Sequence, residues 1–231
     1  MQLAICSICM DVNDAIEKSL PSWIRRGGTS PIIITDWCSK VPVWDTVIHV
    51  VPRDQLYRIF VVRAIDKEIF YITKARNLAM KLMRQEINPL PKYTLMIDAD
   101  ILLRKNITLG ELGDNGFLIA GRGHRSGTAL FPTQGFWDVN GYIESITMGY
   151  SEWNFYNRLR QKQYHKKTKE DNSSLSLVRH IGCKPNTKRI GEKQTSKVPW
   201  RVSNRWMNSG VMEQIDVEIY RPDGEIVKQI L

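Results

Sequence analysis

Apolar runs and apolar stripes alternate through the first half of the chain. The run "LAICSIC" over residues 3–9 is apolar on both faces that a strand presents. "PIIITDW" (31–37) and "YTLMIDADILL" (93–103) repeat the pattern of strands buried inside a parallel sheet. Between them the period changes. In "DVNDAIEKSLPSWIRRGG", Val12, Ala15, Ile16, Leu20, Trp23 and Ile24 fall on one helical stripe, with Asn13 or Asp14 as cap and Gly27-Gly28 as stop. "ITKARNLAMKLMRQE" places Ile72, Ala75, Leu78, Ala79, Leu82 and Met83 on another stripe, with Thr73 as cap. "DTVIHVVP" (45–52) predicts a further strand after the loop "CSKVPVW", and residues 56–70 carry no clear period. Strand, helix, strand, strand, helix, strand is the order of an α/β fold with a mainly parallel sheet flanked by helices.

The second half is patterned differently. "GFLIAG" reads as a strand, "GTALFPTQGFWDVNGYI" mixes aromatic and turn residues, and "SEWNFYNRLRQKQ" reads as a helix capped by Ser151. "LSLVRHIG" is strand-like, and "DVEIYRPDGEIVKQI" predicts two short strands about Pro222-Asp223-Gly224. No segment reaches the roughly 18–20 apolar residues of a membrane span. The beginning lacks the basic region and cleavage site of a signal peptide.

Composition narrows the class. A chain of 231 residues with 42% hydrophobic and 25% charged side chains is expected to be one globular domain. Cys6, Cys9, Cys38 and Cys183 are too few and too scattered for a disulfide framework. Cys6 and Cys9 form a C-x-x-C, but in a strand they point to opposite faces, so core packing outweighs a redox or zinc role. Reduced thiols imply cytoplasmic conditions, with any membrane contact made peripherally. The net charge of +9 favours anionic partners, and much of the excess lies in "RQKQYHKKTKED" and "CKPNTKRIGEKQTSK". Those stretches are either a solvated face or a phosphate or membrane surface. No aromatics interleave the lysines regularly, which argues against nucleic acid.

The candidate chemistry sits at strand ends. Asp98 and Asp100 close an apolar strand, and along a continuous strand they point to the same side. Two converging carboxylates suit a hard cation such as Mg2+ or Mn2+; the alternative is a pair that caps a turn or meets an arginine. Open parallel sheets bind ligands beyond the carboxyl ends of their strands. Ser7 and Asp11 fall there after the first strand, Asp36 after the second, and Lys74, Arg76 and Asn77 at the helix start before the strand of Asp98. A helix N-terminus with Lys74 and Arg76, opposite a metal, would clamp a diphosphate from two sides. The expected ligand is therefore a nucleoside diphosphate.

The order "LAICSICM", "IIITDWCS", "ITKARNLAM", "LMIDADILL", "GTALFPTQGFWDVNGYI" and "GYSEWNFYNRL" resembles the GT-A-fold glycosyltransferases, particularly family 2 and its relatives, over roughly residues 3–160. The resemblance implies a Rossmann-like single domain over 1–231, with a nucleotide-sugar-binding half (1–105), an acceptor-side half (106–231) and a small antiparallel acceptor-side sheet. It implies transfer of a sugar from a nucleoside diphosphate sugar, with UDP-sugars favoured, to a carbohydrate or glycoconjugate hydroxyl, with a divalent metal at a D-x-D motif. It further implies that Asp36 contacts the nucleobase with Ser7 beside it, and that Arg76 and Asn77 line ribose and diphosphate. By the same resemblance Asp98 is expected nearer the ribose and metal waters and Asp100 as the direct metal ligand. His180 is expected to complete the metal shell, with Lys184, Lys188 and Arg189 in the loop after it. Gly127 to Tyr142 resembles the stretch that closes over donor and acceptor, with Asn140-Gly141-Tyr142 in place of Gly-Gly-aromatic; asparagine also tolerates left-handed backbone. Glu152 falls in the position of the catalytic base, while Ser151 stands where the family carries a first acid. Two other readings remain: a sugar nucleotidyltransferase, whose glycine-rich basic loop is missing from "CSICMDVNDA", and a binding module that keeps the fold without turnover.

Overall fold

The computed structural model describes residues 1–67, 69–110, 112–119, 128–144, 151–167 and 214–231, together with the backbone of 178–180; the side chain of Ser151 is outside that description. Four parallel strands form its centre: β1 (Leu3–Cys9), β2 (Ile32–Asp36), β3 (Ile59–Ala64) and β4 (Tyr93–Asp98). Among the described residues the main sheet has nine strands in the order β11-β10-β3-β2-β1-β4-β7-β6-β8, with β6 at Gly116–Ile119, β7 at Ala129–Pro132, β8 at His165–Lys166, β10 at Asp216–Tyr220 and β11 at Ile226–Ile230. The parallel centre is flanked by antiparallel pairings, β4 with β7 on one side and β3 with β10 on the other. A separate antiparallel pair, β5 (Ile101–Leu103) with β9 (Val178–His180), forms the small second sheet.

Every residue of β1 and β2 is buried, as their unbroken apolar runs require. Ala4, Cys6 and Ile8 face one core, under helix α3 (Ile72–Glu86), α4 (Thr133–Asp138) and α5 (Ser151–Gln161). Leu3, Ile5 and Cys9 face the other, under α1 (Asn13–Arg26) and α2 (Val43–Val50). Cys6 and Cys9 therefore lie on opposite faces as free, buried thiols, and burial pushes both pKa values up.

Four expectations are corrected. Residues 45–52 are not the third strand: 43–50 is helix α2, where only Val43 and Val47, one turn apart, are buried. β-branched residues made the segment look extended, but the Asp36 carboxylate accepts the Val43 N–H at 3.0 Å and so fixes the first turn of a helix. The third strand is β3, inside the stretch that showed no period. Helix α1 is not capped by Asn13 or Asp14; Asn13 donates instead to Thr46 Oγ1 at 3.0 Å and to Val41 O, tying α1 to α2. Thr73 is not a cap either: Tyr71 precedes the first turn of α3, and Thr73 is buried inside it. Finally, 93–103 is two strands. The chain turns at Ala99-Asp100, and β5 is held on α1 by Ser19 Oγ to Ala99 O (2.6 Å), Trp23 Nε1 to Ile101 O (2.7 Å) and Leu103 N to Ser22 Oγ (3.0 Å). Asp98 ends β4 and Asp100 lies in the turn, so strand alternation is not what sets their relation.

The tail hairpin forms as its turn residues predict, and docks on the free side of β3. Ala120, Gly121, Gly127 and the stretch 181–213 lie outside the described residues. Among the described residues, no helix is long and apolar enough to cross a membrane.

Trp23→Phe keeps most of the apolar volume but strands the buried Ile101 carbonyl. We expect a loss of about 1–3 kcal/mol in unfolding free energy, measured by urea titration.

Candidate active site

Two groups of side chains converge at the carboxyl ends of the parallel strands. The first ties together the loops after β1 and β2. Asp11 adopts left-handed backbone (φ 54), its N–H donates to Ser39 Oγ at 2.9 Å, and its Oδ1 accepts the Lys40 N–H at 2.7 Å. Asp36 is wholly buried: Oδ1 accepts the Ser39 N–H at 2.8 Å, Oδ2 accepts the Val43 N–H at 3.0 Å, and Arg63 Nε lies 3.6 Å from Oδ2. Burial pushes its pKa above the ordinary carboxylate value, although Ser39, Val43 and Arg63 pull the other way. Ser7 is buried in β1, and its Oγ has no hydrogen-bond partner among the described residues.

The second group surrounds Arg76. Its side chain is 2% exposed; Nη1 donates to Glu152 Oε1 at 2.6 Å and Nη2 to Asp98 Oδ1 at 3.2 Å. One guanidinium thus joins the end of β4 to the first turn of α5. Burial alone would lower the Arg76 pKa, but Glu152, Tyr142 and Asp98 outweigh it and hold the group charged. The Asp98 pKa is raised as well, here against the charged form: burial raises it, Arg76 opposes the rise, and the charges of Glu152 and Asp100 add to it. The sequence alternative in which an aspartate meets an arginine is realised at Asp98.

The sequence signal for Asn77 led to a ribose and diphosphate contact; the structure places its amide on the turn after α4. Asn77 Oδ1 accepts the Tyr142 N–H and Nδ2 donates to Tyr142 O, both at 2.8 Å, and Nδ2 also reaches Glu144 Oε1 at 2.9 Å. Asn140 and Gly141 are both left-handed (φ 57 and 65), which asparagine and glycine tolerate. Arg158 holds the same turn from α5: Nη2 donates to Gly141 O at 2.6 Å, Nη1 to Val139 O, and Nε to Asn154 Oδ1 at 2.8 Å. Burial lowers its pKa to about 10, so it stays charged at neutral pH. Tyr142 then stacks on Phe155 at 4.3 Å and offers its ring to Arg76, 5.3 Å away. Glu144 and Arg158 were not singled out from the sequence. The Asn154–Arg158 spacing of four in a predicted helix was the available signal.

The remaining expected residues are more peripheral. Lys74 Nζ lies 4.8 Å from the centre of the Tyr71 ring. Asp100 sits in the turn after β4, near enough to act on the titration of Asp98. His180 is placed by backbone pairing opposite Ile101, next to that turn; its side chain, and the loop with Lys184, Lys188 and Arg189, lie outside the described residues.

Among the described residues, no cluster of three or more His, Cys, Asp or Glu is placed to hold a metal ion. The donors at the turn nevertheless fit a hard cation, because Mg2+-type ions commonly take one or two carboxylates and complete their shell with substrate phosphates and water. A cation there would also relieve the repulsion that Asp98 feels from Asp100 and Glu152.

No protein-family model and no curated protein matches the chain. Solved structures do. The catalytic domain of Drosophila β-1,4-galactosyltransferase 7, in complex with xylobiose, superposes with a TM-score of 0.59 at 16% identity, over 100% of this chain and 93% of that one. A Pyrobaculum calidifontis mannosyltransferase in complex with GDP-Man and Mn2+ gives 0.55 at 12% identity, over 72% and 54%. S. aureus TarS 1-349 gives 0.52 at 14% identity, over 69% and 55%, so the chain spans about half the length of that protein. What is shared is the fold: this chain has the architecture of the GT-A glycosyltransferases.

Arg158→Met removes two donors from the buried turn and a third from Asn154 while keeping much of the bulk. We expect destabilisation of about 3 kcal/mol or more, read from chemical unfolding.

Proposed function

We propose that the chain is a divalent-metal-dependent glycosyltransferase that moves a sugar from a nucleoside diphosphate sugar, with a UDP-sugar favoured, to a hydroxyl of a carbohydrate or glycoconjugate acceptor, with inversion at the anomeric carbon. The observation that carries this reading is Arg76, whose guanidinium links Asp98 at the tip of β4 to Glu152 on α5. The GT-A fold supports it independently. So do the ligands of its structural neighbours, GDP-Man with Mn2+ in the mannosyltransferase and UDP-Gal, manganese and xylobiose in a variant of the galactosyltransferase.

In this reading residues 1–105 bind the donor and 106–231 the acceptor. Asp98, Asp100 and His180 would hold Mn2+ or Mg2+. When bound, the ion supplies positive charge against the departing diphosphate. Lys74, at the start of α3, faces the same charge, and Ser7, Asp11 and Asp36 shape the nucleotide end. Glu152 takes the proton of the acceptor hydroxyl as its oxygen attacks the anomeric carbon; the bond to the diphosphate oxygen breaks on the opposite face, giving the inverted glycoside. Arg76 keeps one oxygen of Glu152 fixed, a condition for in-line proton transfer. The buried thiols of Cys6 and Cys9 suit a reducing, cytoplasmic setting.

A donor screen that follows release of nucleoside diphosphate tests the reading. Glu152→Gln is expected to lower turnover by roughly 10²–10⁴-fold while nucleotide binding is largely kept. Asp100→Ala is expected to lose both. A Glu152→Gln enzyme turning over at the unmodified rate would remove the base from this assignment.

The raised pKa of Asp98 adds a pH test. Without metal, protonation of Asp98 is favoured in the folded state, so its contribution to stability is present at acid pH and is lost as pH rises through its raised value. A cation must displace that proton. Thermal stabilisation by Mn2+ should therefore grow as pH rises and fade on acidification before an ordinary carboxylate would titrate; scanning calorimetry with and without Mn2+ reads the difference.

A further inference from the structure

A row of alternating charge crosses one edge of the sheet at a single register. Asp36 on β2 is the register partner of Arg63 on β3, Arg63 of Glu218 on β10, and Glu218 of Lys228 on β11. Arg63 Nε lies 3.6 Å from Asp36 Oδ2, Arg63 Nη1 lies 3.4 Å from Glu218 Oε2, and Lys228 Nζ lies 3.2 Å from Glu218 Oε1. The row starts in the core, with Asp36 fully buried, and ends in solvent, with Lys228 74% exposed. Opposite charges directly across strands stabilise their pairing.

The Arg63 guanidinium does more than join two carboxylates. Its Nη2 donates to Ser39 O at 3.1 Å, so the same group holds the backbone of the loop whose N–H bonds Asp36 receives. Tyr220 of the hairpin donates to Glu218 Oε2 at 2.9 Å and stacks on Trp44 of α2, ring centres 5.7 Å apart. The hairpin thereby reaches Ser39 through Arg63 and touches the first turn of α2 directly at Trp44.

We propose that the C-terminal hairpin is a positioning element for the nucleotide-base loop, Ser39 and Asp36 being held in place by Glu218 through Arg63. The proposal rests on the reading of residues 36–39 as part of the donor site. Arg63 is 24% exposed and has reach to spare; Glu218 fixes which way it points. With Glu218 neutral, Arg63 can turn to solvent, and Asp36 keeps its two backbone donors but loses its counter-charge. Consistent with this tie, burial alone would raise the pKa of Glu218, yet Tyr220, Lys228 and Arg63 bring it below the usual value.

A second attachment supplies the control. Arg221, at the hairpin turn, grips Glu86 at the end of α3 with two bonds of 3.0 Å, well away from Asp36. Both attachments dock the hairpin, but only the Glu218 one reaches the loop.

The test compares Glu218→Gln, Arg63→Gln, their combination and Arg221→Gln. Calorimetric titration with UDP and with GDP in the presence of Mn2+ is expected to show about five- to tenfold weaker binding for Glu218→Gln, with donor KM raised and kcat kept. The double variant should be no weaker than Arg63→Gln alone, because Glu218 acts only through Arg63. Arg221→Gln should lower the melting temperature and leave nucleotide affinity unchanged. Hydrogen exchange of the Ser39 and Val43 amides, measured without ligand, should accelerate in Glu218→Gln and not in Arg221→Gln. If the two hairpin variants behave alike in binding and exchange, the proposal is overturned. If the unmodified protein binds neither nucleotide, the reading of the loop as a donor site fails, and the exchange comparison alone decides the coupling.

Discussion

A guanidinium removed from water between two carboxylates is the constraint on which the candidate site depends. Breaking a buried ion pair by removing one partner typically costs about 3–5 kcal/mol, because the remaining charge is left uncompensated. Arg76 makes that penalty bear on three elements at once, since it comes from α3 and its partners from β4 and α5. The parallel strands fix where Asp98 is, and α5 packs on antiparallel strands of the same sheet, Phe155 on Phe131 of β7 and Tyr156 on Phe117 of β6. The ion pairs of Arg76 and the aromatic stack of Tyr142 on Phe155 add the direct link between the tip of β4 and the first turn of α5, and the two sides of the site meet at one side chain.

The turn at 139–142 explains how this arrangement is maintained. Asn77 follows Arg76 in sequence, and Arg158 lies on the same helix as Glu152. Each grips the turn by its backbone rather than by its side chains. Tyr142 is thereby set against the guanidinium that its two holders flank. A buried polar network of this kind is stable only when its members are satisfied, and here the carbonyls of Val139, Gly141 and Tyr142 all receive donors.

Elements buried on both faces were legible in the sequence, because β1, β2 and β4 need unbroken apolar runs and nothing else explains them. The hairpin at 216–230 was legible for a different reason, its Pro-Asp-Gly turn. Helix α2 was not: its residues favour extended backbone, and the hydrogen bond that decides the matter is accepted by Asp36, seven residues earlier than its donor, the Val43 N–H. The break at Ala99-Asp100 was hidden similarly, since Ser19, Ser22 and Trp23 of α1 draw β5 off the sheet from some eighty positions away. In the site, residue types picked out side chains that converge more readily than what each of them touches. Asp98, Arg76 and Glu152 were each singled out, and they meet; Asn77 was singled out for a ligand, and its amide holds the turn at Tyr142. Contacts between distant segments depend on packing that no local pattern encodes.

The lone carboxylate at the start of α5 now has a physical setting. Ser151 stands where the enzymes that the sequence resembles carry a first acid, which by itself weakens the case for a base at Glu152. A second acid in such a pair can serve to orient the first rather than to exchange protons. In this chain Arg76 supplies an orienting contact of its own, 2.6 Å from Glu152 Oε1 and itself fixed by Asp98 and the Tyr142 ring. Orientation by a buried cation ties the proposed base to the carboxylate at the tip of β4, so the two halves of the proposed reaction share one positioning group. Thinning of the acidic pair is therefore compatible with turnover, and the substitution at 151 does not favour a binding module over an enzyme.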